Sequence, residues 1–184
     1  MMIASRSLRR SDLLPKDEYL ARRDTLSARI EVLRRHRQLA LGPAAGLEFH
    51  SRPGLWLAFH EAIHVQGRPE ADALAECNAL MPGGRDLVAG MAFRHLKFGA
   101  LDGIQASLNM AVGGIMVWGV PQPDAPVPDD VPLAFVVRFV FDPVAITEFR
   151  TPGAVAMVAC GHGNYPYSEI IPDDLRHTLA GDLD

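Results

Sequence analysis

Cysteine is scarce in this chain of 184 residues: only Cys77 and Cys160 occur. Two thiols do not make a disulfide framework, and they read as the reduced thiols of a cytoplasmic protein. Long apolar runs are missing too, so no membrane-spanning helix is expected. The first residues, MMIASRSLRRSDLL, hold arginines but no apolar core or cleavage site, which argues against a secretory signal. Internal repeats are absent. Few aromatics lie among the arginines, which weighs against single-stranded nucleic-acid binding, where bases stack on rings.

What is present is an ordinary globular composition, 48% hydrophobic and 22% charged, with enough length for one well-packed core. The expected organisation is a flexible N-terminal arm over residues 1–12 and a single α+β domain over 13–184. The net charge of −4 conceals an asymmetry. Residues 1–40 carry ten Lys/Arg against five Asp/Glu, and the rest carries eight against seventeen. The basic part includes Arg22, Arg23, Arg29, Arg34, Arg35 and Arg37. Such a stripe suits RNA, an acidic partner or the protein's own acidic body, or is simply a solvated helix face.

Pro15 followed by Lys16, Asp17 and Glu18 marks a helix start. Leu20, Leu26, Ile30 and Leu33 carry the helix over 16–38, with Gly42-Pro43 as its stop. Residues 46–50 read as a short strand, Arg52-Pro53-Gly54 as a turn, and 55–66 as a second helix. Gly67 caps that helix, and Pro69 opens a third over about 69–80. Strands are expected at 86–94, 106–112, 114–120, 133–141 and 153–160, with helices at 142–150 and 173–182 and a Pro/Asp-rich loop at 121–132. Helices first and strands later indicate α+β: a long N-terminal helix and a helical pair packed on a mostly antiparallel sheet.

The chemistry concentrates in HEAIHVQGRPE, residues 60–70. His60 and His64, four apart on a helix, share a face and can ligate one metal ion. Glu61 between them is placed to take a proton from metal-bound water. With Gly67 and Glu70, the string resembles the metzincin pattern, Glu70 standing where the third ligand belongs. Two imidazoles and a carboxylate suit Zn²⁺ with an open position, or Fe²⁺ and oxygen chemistry. Pro69 works against this by redirecting the chain before Glu70. Glu76 and Cys77 are alternative ligands. His50, at the end of a strand leading toward the motif, is a further metal candidate, as is His95. His162, in ACGHGNYPY after a strand, is a candidate acid–base group.

Most of the chain, from about Leu13 onward, is similar to the Domain of Unknown Function 3501 family of small bacterial proteins. The likeness rests on DEYLARRDTLSARIEVLRRHRQLALGP, EFHSR, CNALMP, VVRFVF, HGNYP and LAGDL, in that order. Matching positions include Tyr19, Arg22, Glu61, Asn78, His162 and Tyr165. The resemblance implies no cofactor or substrate. It also implies that the family pattern has glutamate where His50 stands, glutamine at His60 and arginine at His64, so that only Glu61 of HEAIH fits.

The leading expectation is a metal-dependent enzyme acting on a small molecule. Zn or Fe would be held by His60, His64 and a carboxylate, with His50 in reach and Glu61 and His162 as catalytic groups. The alternative is a non-catalytic accessory protein that docks a partner protein through the basic first helix, with self-association also open. A metzincin-like peptidase is the minor alternative.

Overall fold

The structure, a computed structural model, describes residues 7–94, 101–122 and 134–184. Two compact units divide the chain. The first takes the chain up to Arg35 together with His50–Gly83, and the second takes His36–Phe49 and Gly84–Asp184.

The first unit is helical. Helix α1, Lys16–Arg35, has Asp17 and Glu18 in its first turn and Arg34 and Arg35 in its last, both matched to the helix dipole. It buries Tyr19 and Ile30 on one face. Helix α2, Arg52–His60, starts at Ser51, whose hydroxyl accepts from the Gly54 N–H at 3.3 Å. Residues 52–54 are thus the first turn of α2 rather than a loop turn, because a proline there forfeits no helix hydrogen bond. Glu61–Val65 continue as a π-helical segment. Gly67 takes φ +68°, the left-handed value a helix end needs. Helix α3, Glu70–Ala79, follows Pro69. Leu8, Leu55, Phe59, Ala62, Ala73, Cys77 and Met81 form the core of this unit. Of the arm expected over 1–12, Leu8 is held in that core by Asn78. The Leu8 N–H donates to Asn78 Oδ1 at 2.7 Å, and Asn78 Nδ2 donates back to the Leu8 carbonyl at 3.0 Å.

The second unit is an eight-stranded antiparallel sheet with helices, as the α+β reading requires. Its strands are β1 (Gln38–Leu41), β2 (Ala45–Phe49), β3 (Asp86–Phe93), β4 (Leu108–Val112), β5 (Ile115–Pro121), β6 (Ala134–Val140), β7 (Ala156–Cys160) and β8 (Ser168–Ile170). Their spatial order is β1-β2-β3-β6-β5-β4-β7-β8. Two strands correct the sequence expectation. The helix predicted to run to residue 38 stops at Arg35, because Leu39 and Leu41 bury on alternate positions and pair with Leu47 and Ala45. Gly42-Pro43 is therefore the turn of a hairpin, with Gly42 at φ +63° and the Tyr167 ring packed where a Cβ would stand. Strand β8 was not expected at all.

Strand β5 changes partner midway. Ile115–Trp118 pair with β4, and Gly119–Pro121 pair with β6. Helices α4 (Pro143–Arg150) and α5 (Asp173–Ala180) add Ala145, Ile146, Phe149, Leu175 and Leu179 to the sheet's inner side chains, making one core. The Tyr165 hydroxyl donates to the Leu41 carbonyl at 2.6 Å and accepts from the Ala44 N–H at 3.0 Å, tying the loop after β7 to the β1–β2 turn. No helix among the described residues is long and apolar enough to cross a membrane. His95 and most of the Pro/Asp-rich loop lie outside the described residues.

Candidate functional site at the HEAIH segment

Leu14 precedes Pro15, and a residue before proline avoids helical backbone. Its N–H and C=O therefore need partners outside any helix ladder. His60 and His64 supply them. The Leu14 N–H donates to His60 Nε2 at 2.9 Å, and His64 Nε2 donates to the Leu14 carbonyl at 2.9 Å. Since His60 Nε2 accepts, its proton is on Nδ1, which donates to the Trp56 carbonyl at 2.8 Å. Both nitrogens of His60 are thus occupied, and the ring is fully buried. Trp56 lies against it at 4.0 Å between ring centroids and Tyr19 at 4.9 Å. Burial pushes the imidazole below its ordinary pKa, and neighbouring His64 adds to this.

Glu61 points the other way, into α1. Arg23 donates to it through Nε at 2.7 Å and Nη2 at 2.8 Å, a fork-on-carboxylate pair. The Tyr19 hydroxyl donates to Glu61 Oε1 at 2.5 Å. The Arg23 guanidinium holds Glu61 below the usual carboxylate range, and the Tyr19 hydroxyl adds to this against the opposing effect of burial. Burial first, then Glu61, pushes the Tyr19 phenol up. A carboxylate so held is a poor proton acceptor near neutral pH. Tyr19 and Arg23 are one helical turn apart and so present one face to Glu61.

The π segment sits under this arrangement. The Gln66 N–H reaches back five residues to the Glu61 carbonyl at 3.0 Å. Such wide turns occur mostly as local insertions, often at sites with a function.

The remaining predicted residues are placed elsewhere. Glu70 begins α3 and pairs with Arg10 at 3.1 Å, so it does not serve the turn back to the histidines that the metzincin pattern needs. His50 directly follows β2, ahead of the Ser51 cap. Glu76 pairs with Arg68 at 2.5 Å. Cys77 is buried in α3, and burial pushes its thiol up to about 11, which keeps it protonated. Both border a cavity of about 400 Å³ lined also by Leu55, Glu61, Ala62 and Ala73. His162 belongs to the second unit. There its Nε2 lies 3.1 Å from the Asp102 carbonyl, and its Nδ1 accepts from the Asn164 N–H at 3.3 Å. Burial raises Cys160. Among the described residues, no three His, Cys, Asp or Glu side chains gather in a metal-holding group.

Sequence reasoning missed Leu14, Tyr19, Arg23 and Trp56 as partners of the motif. Pro15 was the available signal for Leu14, and the i,i+4 spacing of Tyr19 and Arg23 was the signal for α1.

A solved protein from Burkholderia pseudomallei K96243, described as a novel protein of unknown function, matches with a TM-score of 0.86 at 22% identity. The match covers 97% of this chain and 100% of that one. At such identity the likeness shows the fold alone. No curated protein matches the chain. A family model described as a protein of unknown function, DUF3501, matches residues 7–183, which include the HEAIH segment and the HGNYP loop. The chain belongs to that family.

Proposed function

We propose that the chain is a non-catalytic interaction protein that docks an acidic partner protein through α1. One observation carries this: the polar groups of HEAIH are spent inside their own unit, while α1 keeps most of its surface outward. His60 and His64 hold Leu14, and Glu61 holds Arg23 and Tyr19. Helix α1 buries only Tyr19 and Ile30 over twenty residues. It leaves Val32 and Leu33 exposed among Arg22, Arg29, Arg34 and Arg35. Arginine beside exposed apolar groups is a common interface composition, and an acidic partner would compete with Glu18 for Arg22 and with Glu31 for Arg34 and Arg35. Metal binding at His60 would require its buried ring to give up either the Leu14 N–H or the Trp56 carbonyl.

The test uses a photo-reactive residue at Thr25 to cross-link the partner in cells, followed by reconstitution from purified components. Arg22→Glu/Arg29→Glu is expected to weaken that purified complex at least tenfold, and added salt to weaken the native complex progressively. Stoichiometric zinc or iron in tag-free native protein, lost in His60→Ala and in His64→Ala, would favour the metalloenzyme instead.

A further inference from the structure

The sheet unit has a cavity of its own, about 530 Å³ in volume and within the range of small-molecule sites. A face of α4 forms much of its wall: Pro143, Ile146, Thr147 and Arg150 recur at helical spacing, and all border it. Pro152, just past the helix, extends that wall. Arg85, one residue ahead of β3, and Asp184 also line the cavity. Main-chain bonds fix both. The Phe141 N–H donates to the Arg85 carbonyl at 2.8 Å, and the Asp184 N–H donates to the Gly84 carbonyl at 2.7 Å.

Its two arginines are what the rest of the chain does not account for. Residues 41–184 hold eight basic residues against seventeen acidic ones. Arg52, Arg68, Arg138 and Arg176 of that stretch are each ion-paired. Arg85 and Arg150 are ion-paired with no acid among the described residues, Asp184 included. The Arg85 side chain makes no hydrogen bond there either, and Arg150 gives one N–H to the Leu183 carbonyl at 3.3 Å. The common claimant of an arginine at a helix end is the last row of carbonyls. In α4 that row is already served by Arg176, which donates to the Phe149 carbonyl at 2.7 Å and the Thr151 carbonyl at 3.0 Å. The Thr147 and Thr151 hydroxyls donate to the Pro143 and Thr147 carbonyls, each at 2.9 Å. Neither has a proton left for an anion, so recognition of one falls to the two guanidiniums.

We infer that this cavity binds a small organic monocarboxylate, its carboxylate taken by Arg85 and Arg150 and its apolar body laid on Pro143, Ile146 and Pro152. A guanidinium fork matches a carboxylate in shape and charge. The apolar wall calls for a carbon body, which inorganic phosphate lacks. Asp184 in the lining disfavours a dianion more than a monoanion.

The test is titration of the full chain with isocaproate, followed through the amide chemical shifts of α4. Those amides are expected to shift with a Kd of roughly 1 mM or tighter. Arg85→Gln and Arg150→Gln are each expected to raise Kd at least tenfold. The Arg85 side chain has no described partner to lose, so its variant reports recognition, with a thermal melt confirming the native fold. Arg94→Gln makes the same charge change outside the cavity and is expected to leave Kd unchanged. Isoamyl alcohol keeps the body without the charge, and inorganic phosphate keeps charge without the body. Each is expected to bind at least tenfold more weakly than isocaproate. Absence of any shift at about 20 mM isocaproate would overturn the inference. So would a Kd indifferent to Arg85→Gln, or phosphate binding as tightly as isocaproate. The α1 variant Arg22→Glu/Arg29→Glu is expected to leave this Kd unchanged, which keeps the site separate from partner docking.

Discussion

His60 and His64 do for Leu14 what a neighbouring strand does for a strand residue: one accepts from its N–H and the other donates to its C=O. The proton positions matter more than the residue type. By resemblance, the family pattern places glutamine at 60 and arginine at 64, and those side chains offer the same acceptor and donor. The histidines are then a different chemical solution to one hydrogen-bonding task. His60→Ala is expected to cost about 2–3 kcal/mol, from the orphaned Leu14 N–H and the space left beside Trp56. His60→Gln is expected to retain most of that stability. The native protein and His60→Gln also separate in pH. The folded His60 has a lowered pKa, so the unfolded chain binds its proton more readily than the folded one. Its contribution is present above the unfolded value of about 6.5 and is lost as pH falls through the folded pKa. Urea melts at pH 8 and pH 5.5 should show a native-minus-His60→Gln difference in stability that shrinks toward acid. A difference constant across that range would mean that His60 does not titrate as a buried neutral ring.

At the scale of elements, long periodic segments were legible and short ones were not. Helices α1 and α3 and strands β3 to β7 announce themselves through apolar spacing, Pro and Gly punctuation, and β-branched runs. Strand β1 has only four residues, and its Leu39 and Leu41 follow an arginine-rich helix closely enough to extend it on paper. Pairing with β2 decides the matter, which no local pattern shows. Strand β8, Ser168–Ile170, is three exposed residues with no alternation to read. The π segment has ordinary helical composition, so its widened turns leave no sequence mark. Strand β5 shows a similar blind spot: Gly119 reads as a weak point in a strand but is where the strand changes partner. A Cβ there would lie 2.5 Å from Val137 Cγ2 and 3.1 Å from the Leu108 carbonyl. Val137 is stiff and the carbonyl is backbone, so neither yields cheaply. Gly119→Ala is expected to cost about 1–3 kcal/mol by thermal melting. Gly163→Ala, with open space around it and no left-handed backbone, should fall within about 0.5 kcal/mol of native.

For the molecule as a whole, HEAIH was the most informative string and the most misleading one. Its helical placement and one-face geometry were readable, and both hold in the structure. What surrounds the imidazoles was not readable, because Leu14, Tyr19 and Arg23 come from sequence 38 to 46 residues away. The same long reach sets the energetic role of the segment. His60, Glu61 and His64 join the chain before α1, α1 itself and α2 within one unit, whose core is distinct from that of the sheet. Damage at His60 should therefore be felt first where those helices meet. Hydrogen exchange on His60→Ala is expected to accelerate at least tenfold in the amides of α2 and α3, which open with the weakened unit. The amides of β3 and β6, at the centre of the sheet, should keep native rates. Equal acceleration in both sets would mean that the units unfold as one cooperative body, and that the histidine clamp on Leu14 contributes to the stability of the entire chain.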